Sequence, residues 1–264
     1  MKYSDDKYEF YGPENENGFR RIRALRSFGD VKEGEVGGYL QSEDNLSQSG
    51  TCWVYNDAQV YGKAYVKEDA QVRDCAKVHG VNRCEISGEA VIGHAAHLED
   101  TFVTDMAHIM GESHVIESNI EGRALLKENC NIMASHVTGQ SVIGGYGAVV
   151  NSVLRGETIV TDNAMLNKCN CSDEVSVSGL SHVHFCNMEG RVQIDGRNQI
   201  HECDFYGDIQ IEGENEFTSK QFKGECHYRD GINLTERHRQ ADDLTSGIDF
   251  DDRECQSLPS DVLF

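Results

Sequence analysis

The chain has 264 residues, a formal net charge of −21 and only 38% hydrophobic residues. That charge disfavours direct binding to DNA or to an anionic membrane surface, and no apolar run approaches the roughly 20 residues needed to span a bilayer. Glycine is frequent, at 26, and proline nearly absent, at 2, so short strands joined by tight turns are expected and helices are not.

Residues 1–50 form a region of their own. Met1–Glu9 is polar and lacks the apolar core of a secretory leader; a cytoplasmic location is expected, with the 10 cysteines as thiols. A basic-aromatic stretch follows (Phe19, Arg20, Arg21, Arg23, Arg26, Phe28), then Gly37-Gly38-Tyr39. The sequence predicts a small β-rich cap that feeds into a first coil through Leu40 and Leu46.

Residues 51–222 are periodic. Val54, Val60, Val66, Val72 and Val78 fall six apart, each with Ala58, Ala64, Ala70 or Ala76 two residues before the later four. A two-residue slip near Val81–Cys84 leads into a longer period: Ile86, Val103, Ile120, Val137, Leu154, Cys171, Met188 and Phe205 are seventeen apart. Each seventeen divides as six, six and five. Alternate strand residues point to opposite faces, so the aliphatic residue and the small residue two before it point inward. The predicted fold is an all-β, single-stranded parallel β-helix of about ten coils, roughly 50 Å long at the usual strand spacing of about 4.8 Å. Gly, Asp or Glu recurs at the corners, where the chain must turn onto the next side.

Three columns of small residues should line the narrow core. They are Ala90, Ala107, Ala124, Ser141 and Thr158; Ala96, Ser113, Cys130, Gly147 and Ala164; and Thr101, Ser118, Ser135, Ser152, Cys169, Cys186 and Cys203. Asn198 and Asn215 extend the second as an amide ladder. Cysteines in such columns act as small hydrophobes. A zinc site from Cys169 and Cys171 with His182 or His184 is disfavoured because the two thiols fall on different sides of a coil; no metal is expected.

Residues 223–264 leave the period. Thr235–Asp243 reads as a short helix, followed by an acidic tail ending in Val262-Leu263-Phe264.

The period-six pattern, with Arg23-Ala24-Leu25-Arg26, Phe28-Gly29-Asp30-Val31, Gly37-Gly38-Tyr39 and Cys52-Trp53-Val54-Tyr55, resembles the hexapeptide-repeat superfamily of left-handed β-helices, and in its N-terminal part the YdcK-type proteins of bacteria and phages. The resemblance implies a left-handed coil, a trimer and, in the superfamily's enzymes, acyl transfer from acyl-CoA with a histidine as base. It covers residues 19–80 in detail and the rest only as a repeat.

Outward histidines supply the candidate site. His79, His94 and His97, near the slip, are the catalytic candidates; no nucleophile motif or phosphate loop accompanies them. His97 and His114 stand seventeen apart and should stack. With Arg123, Lys127 and Arg155 they make a candidate ligand set. Apolar residues recur at outward positions: Ile116, Met133 and Val150 on one side, and Val91, Leu125, Val142 and Ile159 on another. Such stripes mark interfaces, here a homo-oligomer contact. Three functions stay open: a non-catalytic oligomeric scaffold without cofactor that sequesters a small nucleotide, mimics DNA or captures a nucleic-acid-binding protein, as in phage counter-defence; an acyl-CoA-dependent acyltransferase; or a structural rod.

Overall fold

The structure, a computed structural model, describes residues 6–168, 170, 174–180, 182–185, 187–197, 199–200, 206–213, 216–217, 226–228 and 233–234. Apart from one short 3-10 turn, Glu43–Asn45, every regular element in it is a strand. The chain is the expected all-β parallel solenoid. The amide ladder of Asn198 and Asn215, the thiols of Cys169, Cys171, Cys186 and Cys203, and the helix and tail after residue 234 lie outside the described residues.

Each coil is three-sided. Face A carries strands such as Leu125–Leu126, face B strands such as Asn131–Met133, and face C strands such as Asn119–Ile120. Face A is an 11-stranded parallel sheet, close to the ten coils expected. Its register runs Ile109, Leu126, Ile143, Val160, Val177, Ile194, each paired with the residue seventeen further on. Faces B and C join into one 18-stranded sheet.

The first strands explain that junction. They are β1 (Tyr8–Tyr11), β2 (Arg20–Ala24), β3 (Val36–Leu40), β4 (Trp53–Val54), β5 (Gln59–Val66), β6 (Gln71–Val72) and β7 (Lys77–Ile86). Strands β5 and β7 run from face B onto face C without a break. Val60 pairs with Val78, eighteen residues on, but Ala64 pairs with Cys84, twenty on. The two-residue slip is therefore a bulge within β7. Asp100 holds it: its carboxylate accepts from the amides of Val81 (2.7 Å) and Asn82 (2.9 Å) and from Asn82 Nδ2 (2.8 Å). Partial desolvation would raise this carboxyl, but the hydrogen bonds from Asn82, Val81 and Arg83 outweigh it and hold it below the ordinary range.

The core is the predicted set of columns. Ala90, Ala107, Ala124, Ser141 and Thr158 are buried, as are Ala96, Ser113, Cys130 and Ala164, and Thr101, Ser118, Ser135 and Ser152. The serines solve a specific problem, because a buried hydroxyl needs partners. Ser118, Ser135 and Ser152 each donate to the carbonyl two residues back, at 2.7, 2.8 and 2.9 Å. Ser118 and Ser135 Oγ also accept the amide of the serine one coil on, both at 3.1 Å. Cys130, a free thiol, sits in its column 3.2 Å from Ser113 Oγ.

Corners place a residue in left-handed backbone, and many of those residues are not glycine. Glu68 (φ 61°), Asp105 (φ 58°) and Glu128 (φ 64°) are examples. Their carboxylates offset the strain by accepting an amide from the next coil: Gly88, Gly122 and Gly145 donate at 2.7, 2.9 and 2.6 Å. Gly111 has no such freedom, since at φ 77° a Cβ would lie 2.2 Å from the Glu128 carbonyl oxygen.

The cap closes the N-terminal end. Strand β2 pairs antiparallel with β1 and β3, and β3 pairs parallel with β5. On face B the open edge that a solenoid presents is thus covered by β3, with β2 and β1 added antiparallel outside it. Leu40, Leu46 and Trp53 are all buried at the entry. Three of the four arginines in the basic stretch are engaged locally: Arg20, Arg21 and Arg23 lie over Phe10, Tyr39 and Tyr11 at 4.0, 4.3 and 4.7 Å and pair with Glu14, Asp57 and Glu9. Lys7 is wholly buried, its Nζ donating to the carbonyls of Cys52 (2.9 Å) and Ser49 (3.2 Å) and lying 3.1 Å from Cys52 Sγ. Burial lowers the Lys7 pKa.

Candidate functional site

Face B presents two outward columns. One runs Gln59, Lys77, His97, His114, Asn131, Ala148, Met165; the other runs Tyr61, His79, Glu99, Ile116, Met133, Val150. The N-terminal half of the face is therefore rich in titratable groups, and beyond it the second column is apolar from Ile116 to Val150.

In the titratable half, His79 stacks on Tyr61 with ring centroids 4.4 Å apart and planes 17° apart, and Phe19 meets Tyr61 edge-on at 5.3 Å. His97 and His114 are 5.5 Å apart and nearly perpendicular. Burial lowers the pKa of His97, and the neighbouring His114 lowers it further. Glu99 opposes this, while Lys77 and His79 add to it. A neutral imidazole beside a carboxylate can accept a proton near neutral pH. Among the described residues, no three or more His, Cys, Asp or Glu side chains are placed to hold one metal ion.

The other site candidates separate. His94 lies at the corner between faces A and B, exposed, at φ 56°. Its amide donates to Asp74 (2.9 Å) and its Nδ1 accepts from the Gly111 amide (3.1 Å), the same role that the corner carboxylates play. Arg123 is exposed at the corner before face A. Lys127 lies on face A beside Glu128, and Arg155 follows Leu154 on face C. One chain thus gathers His79, His97 and His114 but leaves the three cations on other surfaces. The apolar columns are real ladders: Ile116, Met133 and Val150 pair directly on face B, while on face A His108 separates Val91 from Leu125, Val142 and Ile159.

Face C holds a feature absent from the sequence reading, a shallow groove of about 270 Å³ lined by Glu85, Ser87, Phe102, Thr104, Asn119 and Glu121. Phe102 lies between Glu85 and Asn119 in successive coils. Glu85 pairs with Lys67 (2.8 Å) and Arg83 (2.9 Å), and the Lys67 hydrogen bond holds its carboxyl below the usual range. Glu121 accepts from Asn119 Nδ2 at 2.7 Å. His136 Nε2, shielded from solvent, lies 3.5 Å from Glu121 Oε2, an ion-pair distance without hydrogen-bond geometry. Glu85, Phe102 and Asn119 stand seventeen apart on one outward column, and Ser87, Thr104 and Glu121 on another; the repeat places them together, but their side chains follow no pattern that marks a groove.

No protein-family model matches the chain. A stretch of 62 residues is 32% identical to the uncharacterized acetyltransferase YdcK of Escherichia coli K12, a match covering 23% of this chain and 19% of that protein. Together with the parallel solenoid, this partial similarity fits a hexapeptide-repeat β-helix. No helix among the described residues is long and apolar enough to cross a membrane.

Proposed function

We propose that the protein is a non-catalytic, homo-oligomeric binding scaffold that captures an anionic small molecule of the nucleotide class in a cleft between copies. The observation that carries this reading is the pair of apolar ladders, Ile116–Met133–Val150 on face B and Leu125–Val142–Ile159 on face A, at the same level of the rod. Two different patches on one chain make a head-to-tail contact, which closes into a ring when the rotation allows; for a three-sided rod the natural ring is a trimer. The titratable half of face B continues the ladder, so it would border the contact. A neighbour's Arg123 and Lys127, beside its face A, would then meet His97 and His114 and supply the positive charge that one chain keeps apart. Arg155, on face C, stands outside this cleft. Sequestration of a nucleotide signal, as in phage counter-defence, is the setting this favours over mimicry of DNA.

The test is native mass spectrometry of protein purified from its host. A trimer carrying a nucleotide-sized adduct supports the reading, and a monomer overturns it. The similarity to YdcK favours a second reading, acyl transfer from acyl-CoA with His97 or His79 as base. A retained acyl-CoA, with turnover abolished in His97→Ala, would establish that reading in place of the first.

A further inference from the structure

We infer that the groove on face C is a binding site for a neutral sugar ring, separate from the cleft proposed between copies. Three properties of the groove point to this ligand class. The first is charge. Of the two carboxylates that line the groove, Glu85 is bound by both nearby cations, Lys67 and Arg83, and Glu121 accepts from Asn119. Neither carboxylate is left without a partner to attract a cation.

The second property is the kind of polar group. Carboxylate, amide and guanidinium are planar and present donors and acceptors side by side, the arrangement that adjacent hydroxyls of a sugar can engage in pairs. Glu121 and Asn119 already share one such hydrogen bond at 2.7 Å, which fixes both for a ligand. The hydroxyls of Ser87 and Thr104 line the same groove. His136, paired with Asn119 one coil on, brings its Nε2 to 3.5 Å from Glu121 Oε2.

The third property is the aromatic floor. Phe102 points outward and is half-buried, so part of the ring faces the groove. The exposed Arg83 guanidinium lies over the ring, 5.2 Å from its centroid. A pyranose has an apolar face of C–H groups that packs on such a ring while its equatorial hydroxyls reach the planar groups at the edge. The groove volume of about 270 Å³ suits one sugar ring rather than a larger cofactor.

Saturation-transfer NMR on the full chain tests this, with the methyl glycosides of glucose, galactose, mannose and N-acetylglucosamine as millimolar probes. Transfer to the ring C–H protons of at least one is expected. It should weaken by about tenfold in Phe102→Ala and in Glu121→Gln, and persist in Gln193→Ala, an exposed position on face A. Glu121→Gln is nearly isosteric, so it serves even if Phe102→Ala disturbs the fold. Transfer from none of the four, transfer unaffected by Glu121→Gln, or stronger transfer to cadaverine or glucuronate than to any neutral glycoside would overturn the assignment.

Discussion

The hydroxyl of Ser135 joins two coils: it donates to Met133 and receives the Ser152 amide. Ser135→Ala removes both bonds inside the core and should cost about 1–3 kcal/mol, read as a lower midpoint in chemical denaturation; no shift would show that the column carries no load. Gly111→Ala should cost about 3 kcal/mol or more, because left-handed backbone and a 2.2 Å clash with the Glu128 carbonyl act together. Glu128→Gly, at a corner of similar φ, should be tolerated far better. His97 has a folded pKa below its ordinary 6.5. The unfolded chain then binds more protons in the window between the two values, so stability falls as pH drops from 6.5 through the folded value. Thermal melts across that window should show the loss in the wild type and a flatter profile in His97→Gln.

Strand β7 is the element where regularity breaks. Asp100 holds the bulge through the amides of Val81 and Asn82, so Asp100→Ala should speed hydrogen exchange at those two amides and leave Ile109 and Leu126 protected. Because the Asp100 carboxyl is held below its ordinary value, its stabilising contribution is present at neutral pH and is lost as pH falls through the folded value. This strand also marks the boundary of what the sequence made legible. Inward residues are chosen by size in a narrow prism, so Ala107, Cys130 and Ser135 announce their positions by spacing alone. Outward residues answer to no packing rule. His97 and His114 were readable as neighbours because seventeen residues separate them. His79 and Tyr61 are eighteen apart, three repeats of the period-six pattern, whereas His79 and Glu99 are twenty apart, so that pairing required knowledge of how β7 absorbs its extra residues. The groove around Phe102 follows the regular period, Glu85, Phe102 and Asn119 being seventeen apart, and went unread because outward residues carry no signal of their own; only Arg83 beside it projects from the bulge.

At the scale of the molecule, the solenoid makes residues far apart in sequence close in space, and every face-based inference depends on this. If the apolar ladders join copies, Met133→Lys should turn a trimer into monomers in sedimentation velocity without changing the circular dichroism. The stacking itself is tested most directly by a distance. Lys77 and Met165 lie on one outward column, five coils apart, which at the usual strand spacing puts their backbones about 24 Å from each other. Electron–electron resonance between spin-labelled non-cysteine residues introduced at these two positions should give a narrow distribution near that separation within a chain. A broad distribution, or a mean beyond about 40 Å, would contradict the account.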